Sequence, residues 1–174
     1  MMSLFKTKIS KAIDKYFESI GGTTIYLFMN LKEEFPEEVI WFMPPSETNI
    51  NVRARDIIPA LVFKVSIMSG DVPEKVLDSV QKELFKRYEL SETILNHYSS
   101  WNWSEYDIFV SENPTASDED MLDFLATNLG EYLCLEIMEQ YKLDGQNYSF
   151  TVGFAKAVGE LLLDVSREFT DYLK

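Results

Sequence analysis

The chain has 174 residues, and its 29 acidic and 16 basic side chains give a formal net charge of -13. One cysteine excludes an intrachain disulfide and a cysteine-ligated metal cluster, and one histidine excludes a paired-histidine metal site. The apolar fraction of 46% is enough to form a core, and we expect a single globular domain over residues 1–174.

Helical periodicity predicts helices over most of the N-terminal and C-terminal parts of the chain. Apolar residues recur at helical spacing over residues 4–20, and lysines fall mostly between them. Further helices are predicted over residues 73–88, 91–98, 117–142 and 151–173. Ser117 and Asp120 have the spacing of a helix N-terminus, with the acid near the positive end of the helix dipole. Cys134 lies among apolar residues, so we expect a buried, unreactive thiol.

The segment between the first two helices has a different pattern. Short apolar runs rich in β-branched and aromatic residues occupy residues 24–29 and 39–43. Polar and apolar residues alternate over residues 49–54 and 61–67, as they do in half-buried strands. These patterns predict an α+β fold with a helical majority: an N-terminal helix, a small antiparallel sheet and a helical C-terminal half.

In this fold, residues 101–110 are predicted to be a loop that leads into a strand. The alternative is an all-α fold in which residues 24–34 and 56–69 are helices and Gly70 ends the second one. Short apolar runs fit either structure, so periodicity by itself does not decide between them.

No segment has the features of a membrane span or a signal peptide. The longest apolar stretch, residues 57–68, contains Pro59 and Lys64 and is shorter than the roughly 18 residues that a span needs. The first residues lack the apolar region of a signal peptide. We therefore expect a cytoplasmic protein with no membrane partner.

The motifs of catalysis and cofactor binding are nearly all missing. There is no P-loop, no dinucleotide-binding glycine motif, no zincin motif and no nucleophile elbow. One acidic string, residues 33–37, reads E-E-x-x-E and resembles the magnesium-binding helix of the MazG-like nucleotide pyrophosphohydrolases. The resemblance implies an all-helical fold and a carboxylate-metal nucleotide hydrolase, which requires residues 24–38 to be helical. Pro36 interrupts the string and no second motif, E-x-x-D, follows at a suitable distance, so the hydrolase ranks as the second alternative.

Acidic residues are concentrated in the second half of the chain. Residues 1–87 hold 12 acids and 12 bases, whereas the 12 acids between Tyr88 and Tyr141 have no lysine or arginine among them. Such a stretch faces either water or a basic partner, and its charge argues against direct binding of nucleic acid. Immunity proteins against nuclease toxins and phage-encoded inhibitors of host defence are similar in size and charge.

The sequence therefore predicts a non-catalytic protein without cofactor or metal that sequesters or inhibits a basic, nucleic-acid-binding protein. Aromatic anchors surrounded by acids are typical of protein interfaces. The predicted partner-binding residues are Trp101, Trp103, Glu105, Asp107, Glu112, Asp118, Asp120 and Asp123. The alternative role of the two tryptophans is to fill the core under a loop. The first alternative function is a structural subunit of a larger assembly, a homo-oligomer included, whose apolar face is completed by a neighbour.

Overall fold

The computed structural model describes residues 7–17, 29–42, 54–68, 70–88, 104–140 and 150–174. These residues are mostly helical, and no strand occurs among them. In chain order the helices are α1 (Lys8–Phe17), α2 (Pro36–Phe42), α3 (Ala54–Met68), α4 (Glu74–Tyr88), α5 (Ser104–Glu112), α6 (Asp118–Gln140) and α7 (Val152–Leu173). The predicted α+β fold is therefore wrong, and the described part of the chain is all-α.

Helices replace the predicted β structure wherever the two can be compared. Residues 39–42 lie in α2, residues 61–67 in α3 and residues 104–110 in α5. Residue 29 is also helical, and residue 54 begins α3. The rest of the predicted strands at 24–28 and 49–53, and the predicted helix over 91–98, lie outside the described residues.

Helix α3 was mistaken for a strand because it is buried on nearly every side. It contacts α4, α6 and α7, and Ile58, Leu61 and Val62 are all fully buried. Residues 57–63 are an unbroken run of apolar residues and proline, and periodicity by itself does not distinguish a buried helix from a strand in such a run. Ser66 is one of the polar residues in the alternating pattern over residues 61–67 that predicted a strand. In the structure it is a core residue, and its hydroxyl donates to the carbonyl oxygen of Val62 at 2.8 Å.

Shortly after α3, Gly70 has a φ of 65°, a left-handed conformation that glycine adopts without strain. Its backbone N–H donates to the carbonyl oxygen of Ile67 at 3.3 Å. The all-α alternative assigned this role to Gly70, as a stop for a helix over residues 56–69. That prediction is confirmed by the bounds of α3.

Two shorter helices have start signals that outweigh the β propensity of their apolar residues. Pro36 is the first residue of α2, and Glu37 and Glu38 lie in its first turn. Proline and acids are both favoured at that end of a helix. Helix α5 likewise has Glu105 and Asp107 in its first turn.

The predictions of the longer amphipathic helices are confirmed, since α1, α4, α6 and α7 fall within the expected ranges. Helix α1 is held against α7 by Tyr16 and Phe169, whose ring centroids lie 6.0 Å apart edge to face. It is held against α4 by the Arg87 guanidinium, which forms an ion pair with Asp14. Cys134 is fully buried in α6, as expected. None of the described helices has the length and apolar character needed to cross a membrane.

Helices α6 and α7 cross backbone to backbone and run antiparallel, since Ala126 meets Gly159 while Gly130 meets Ala155. A Cβ built on Gly130 would lie only 1.6 Å from the carbonyl oxygen of Ala155. A Cβ on Gly159 would lie 1.8 Å from the carbonyl oxygen of Ala126. Only glycine fits at both positions, so this crossing fixes how α6, and α5 with it, sits on the core.

Candidate partner-binding surface

Helices α5 and α6 form a hairpin in which α5 lies on the surface and α6 packs against α7. Residues 113–117 connect them, with the N–H of Ala116 donating to the carbonyl oxygen of Asn113 at 2.9 Å. The rings of Phe109 and Phe124 stack with centroids 4.1 Å apart and an interplanar angle of 8°. Helix α5 contains no buried residue, so most of its surface is open.

The predicted acids lie on this hairpin, and every one of them is exposed. We call residues 104–123 the acidic hairpin; the sequence places no lysine or arginine there. Its exposed carboxylates are those of Glu105, Asp107, Glu112, Asp118, Glu119, Asp120 and Asp123. Glu119 was not among the predicted binding residues, although the acidic run that contains it was visible in the sequence.

One of the predicted binding acids has a structural task at the start of α6. The Asp120 carboxylate accepts hydrogen bonds from the N–H of Ser117 at 3.0 Å and from its hydroxyl at 2.7 Å. The Ser117 hydroxyl oxygen in turn accepts from the N–H of Asp120 at 3.1 Å. This reciprocal cap confirms the predicted helix start. The bonds from Ser117 stabilise the charged form and lower the pKa of Asp120.

A second predicted binding acid, Asp123, is neutralised by a residue from α7. The Lys156 ammonium donates to the Asp123 carboxylate at 2.5 Å and lies 3.8 Å from Glu160. The hydrogen bond to Asp123 is the main reason that the pKa of Lys156 is raised. The other five acids form no hydrogen bond or ion pair with any described residue through their carboxylates.

A groove of about 330 Å³ opens beside the acidic hairpin, between α3, α5, α6 and α7. Its walls are mainly apolar and are formed by Val65, Tyr106, Leu122, Leu125 and Leu163. Buried Ser166 and Thr170 form its floor. The Thr170 hydroxyl donates to the Ser66 hydroxyl at 3.1 Å, and that of Ser166 donates to the Leu162 carbonyl at 2.8 Å. The polar floor is thus hydrogen-bonded within the protein.

Charges on the rim of the groove pair with neighbouring acids. Lys174 donates to Asp71 at 2.8 Å and to Asp171 at 3.0 Å. Arg167 donates to Asp164, which lies next to the groove, at 3.1 Å. Because these cations already have carboxylate partners, the groove offers a guest an apolar surface and little net charge.

Large apolar side chains on the hairpin are more exposed than the sequence indicated. Leu122 has the helical spacing of a core residue of α6, but 49% of it is exposed, because it lies at the mouth of the groove. Ile108 on α5 is 52% exposed. No sequence signal separated these two residues from core residues. The predicted anchors Trp101 and Trp103 lie outside the described residues.

The acidic string that resembles the hydrolase motif does not lie on one helix. Glu33 and Glu34 lie in a turn over residues 31–34, and α2 begins only at Pro36. The helix required by the resemblance is therefore interrupted inside the motif. Within the described ranges, no group of three or more His, Cys, Asp or Glu side chains could hold a metal ion.

The chain matches no protein-family model, no curated protein and no solved structure. Among the described residues, the acidic hairpin and the groove beside it offer a partner a charged surface next to an apolar one.

Proposed function

We propose that this protein is a non-catalytic binding protein whose acidic hairpin sequesters or inhibits a basic protein partner. The partner class that fits is a nucleic-acid-binding protein, because such proteins carry dense basic surfaces that match phosphates. Immunity proteins and phage-encoded inhibitors of defence act in this way. The supporting observation is that five exposed acids on one hairpin form no hydrogen bond or ion pair with a described residue, although Glu119 interacts electrostatically with Lys156.

The other two acids of the hairpin, Asp120 and Asp123, stabilise the fold, so they are left unchanged in the experiment. Asp120 caps α6 and Asp123 pairs with Lys156, so replacing either one alters α6 as well as the surface charge. Neutralisation of acids without structural partners leaves those contacts in place. The hairpin variant therefore carries Glu105→Gln, Asp107→Asn, Glu112→Gln and Asp118→Asn.

A control variant has the same net charge but changes acids outside the hairpin. It carries Glu33→Gln, Glu34→Gln, Glu74→Gln and Asp78→Asn, all at exposed positions. Each variant and the unmodified protein are immobilised and exposed to lysate of the native host, and bound proteins are eluted by a salt series and identified by mass spectrometry. Any captured protein is then purified for affinity measurements.

The expected result is capture of one basic protein by the unmodified protein and the control variant, with release as salt rises. The Debye length falls from about 10 Å at 0.1 M salt to about 3 Å at 1 M, so contacts between exposed charges weaken across the series. Each exposed pair contributes roughly 0.2–1 kcal/mol, so the loss of four pairs should weaken binding of the hairpin variant by about 0.8–4 kcal/mol, or roughly 4- to 900-fold, at 0.1 M salt. Equal capture by both variants would refute the proposal.

The assembly-subunit alternative is favoured by a different pair of residues. Leu135 near the end of α6 and Val152 at the start of α7 are 57% and 63% exposed. A neighbouring subunit that covers them would form an apolar interface that resists salt. Light scattering over a range of protein concentrations tests its homomeric form, since a concentration-independent monomer excludes it.

A further inference from the structure

We infer that the groove between α3, α5, α6 and α7 receives an apolar side chain that projects from a basic segment of the partner. The inference rests on the proposed function and adds the chemistry of the contact. Affinity in protein interfaces comes mostly from a few apolar or aromatic anchors that fill pockets, while surrounding charges steer the encounter. The groove and the acidic hairpin provide these two elements side by side.

Several residues place the groove within the acidic surface. Tyr106 lines the groove and lies between Glu105 and Asp107 in α5. Leu122 also lines it and lies one helical turn after Asp118, whose exposed carboxylate forms no hydrogen bond or ion pair with a described residue. A segment that places an apolar side chain against Tyr106 and Leu122 therefore brings its own flanking residues next to carboxylates. Charge complementarity selects lysine or arginine at those flanking positions.

The chemistry of the groove itself selects an apolar guest. Its lining is mainly apolar, from Val65, Tyr106, Leu122, Leu125 and Leu163, and the four charged residues that also line it, Asp71, Arg167, Asp171 and Lys174, are two acids and two bases. Lys174 is already paired with Asp71 and Asp171, so an anionic guest would have to displace carboxylates. A volume of about 330 Å³ lies at the small end of the range for ligand pockets, which suits one side chain better than a cofactor.

The test uses three synthetic pentapeptide amides as probes. The first has a tryptophan between two pairs of lysines, the second has alanine in place of tryptophan, and the third has the tryptophan between two pairs of glutamates. Binding is measured by calorimetry at 0.05 M salt, and the contact is located from leucine and valine methyl shifts in NMR. We expect the lysine–tryptophan peptide to bind about tenfold more tightly than the lysine–alanine peptide. The shifts should centre on Val65, Leu122, Leu125 and Leu163.

Two matched variants test whether the groove is the site. Leu122→Ala trims its wall, and Leu135→Ala removes an equally exposed leucine of α6 that does not line it. Leu122→Ala should reduce the advantage of tryptophan over alanine by about threefold, because it removes part of the apolar contact. Leu135→Ala should leave that advantage unchanged. Both leucines are about half exposed, so neither variant should unfold the protein.

The outcomes separate this inference from the function on which it rests. If the two lysine peptides bound equally tightly, and both bound more weakly to the hairpin variant, the groove would not be the site of an apolar contact. The proposed binding function of the acidic hairpin would then still stand. If the glutamate–tryptophan peptide bound as tightly as the lysine–tryptophan peptide, the segment that carries the apolar side chain would not need to be basic, and that part of the inference would be wrong. The proposed function itself is tested separately by the salt-series capture, where equal capture by the hairpin variant and the control variant would refute it. Equal losses in Leu122→Ala and Leu135→Ala would show that the groove is not the site.

Discussion

The sharpest prediction concerns the crossing of α6 and α7, where Gly130→Ala should destabilise the protein strongly. The new Cβ would lie 1.6 Å from the carbonyl oxygen of Ala155, 2.5 Å from its carbonyl carbon and 2.9 Å from the backbone nitrogen of Gly159. All three atoms belong to the backbone of one helix, so no side-chain rotamer can relieve the clash. The helices have to separate by about 1.5 Å to restore ordinary contact distances.

That separation is costly because the crossing is densely packed. Leu129 and Leu133 of α6, and Phe154 and Val158 of α7, are all fully buried. A radial gap of 0.5–1 Å already forfeits roughly a quarter to a half of a dispersion contact. We expect a loss of about 3–5 kcal/mol from the separation, above the usual range for overpacking. The higher helix propensity of alanine offsets about 1 kcal/mol of this.

The expected net loss of about 2–4 kcal/mol corresponds to a fall in melting temperature of roughly 5–15 °C for a chain of this size. Circular dichroism in a thermal scan and in urea measures both quantities. Gly153→Ala in the first turn of α7 is the matched control, since its Cβ would have no neighbour closer than 3.7 Å. That variant should be neutral or slightly stabilised. An unchanged melting temperature for Gly130→Ala would refute the close backbone crossing.

Three further predictions concern stability, pH and thiol reactivity. Ser117→Ala should cost about 1 kcal/mol in thermal unfolding, and NMR titration should show the pKa of Asp120 rising towards its ordinary value. Because folding lowers that pKa, the contribution of Asp120 to stability is present above its unfolded pKa of about 3.9 and is lost as pH falls through the pKa of the folded protein. A destabilisation by Ser117→Ala that grew on acidification would contradict this prediction. Arg87→Met removes the ion pair with the half-buried Asp14 carboxylate and should lower the free energy of unfolding in urea by about 1–2 kcal/mol; an unchanged urea midpoint would show that this ion pair does not stabilise the protein. Cys134 should not react with an aromatic disulfide reagent until the protein unfolds, since burial raises its pKa, and rapid native labelling would disprove this.

Sequence patterns gave reliable predictions wherever one helix face is buried and the other is wet. Helix α7 is an example: Phe154, Val158, Leu162 and Phe169 recur on its buried side, and Thr151 caps its start by accepting from the N–H of Phe154 at 3.1 Å. In such helices, local chemistry and tertiary packing require the same residues. The concentration of acids was equally visible, because charge is a property of composition and needs no fold.

The fold class was predicted wrongly because α3 lies inside the protein. Its buried surroundings removed the polar face that marks a helix. Ser66 has the sequence pattern of a surface residue, but in the fold its hydroxyl accepts a hydrogen bond from Thr170, which lies more than a hundred positions away. Start signals were available for α2 in Pro36 and for α5 in Glu105 and Asp107, and β propensity was given too much weight against them.

The sequence by itself determined that the protein is acidic, that its acids are concentrated in one part of the chain, and that helices dominate both ends. Only the tertiary structure decided which acids are available to a partner. Asp123 is paired with Lys156 from 33 residues away, while Leu122 beside it stays half exposed at a groove. Both outcomes depend on the close approach of α6 and α7 at Gly130 and Gly159. The physical reason is that charge and periodicity are local properties, whereas burial and pairing depend on which distant residues the fold brings into contact.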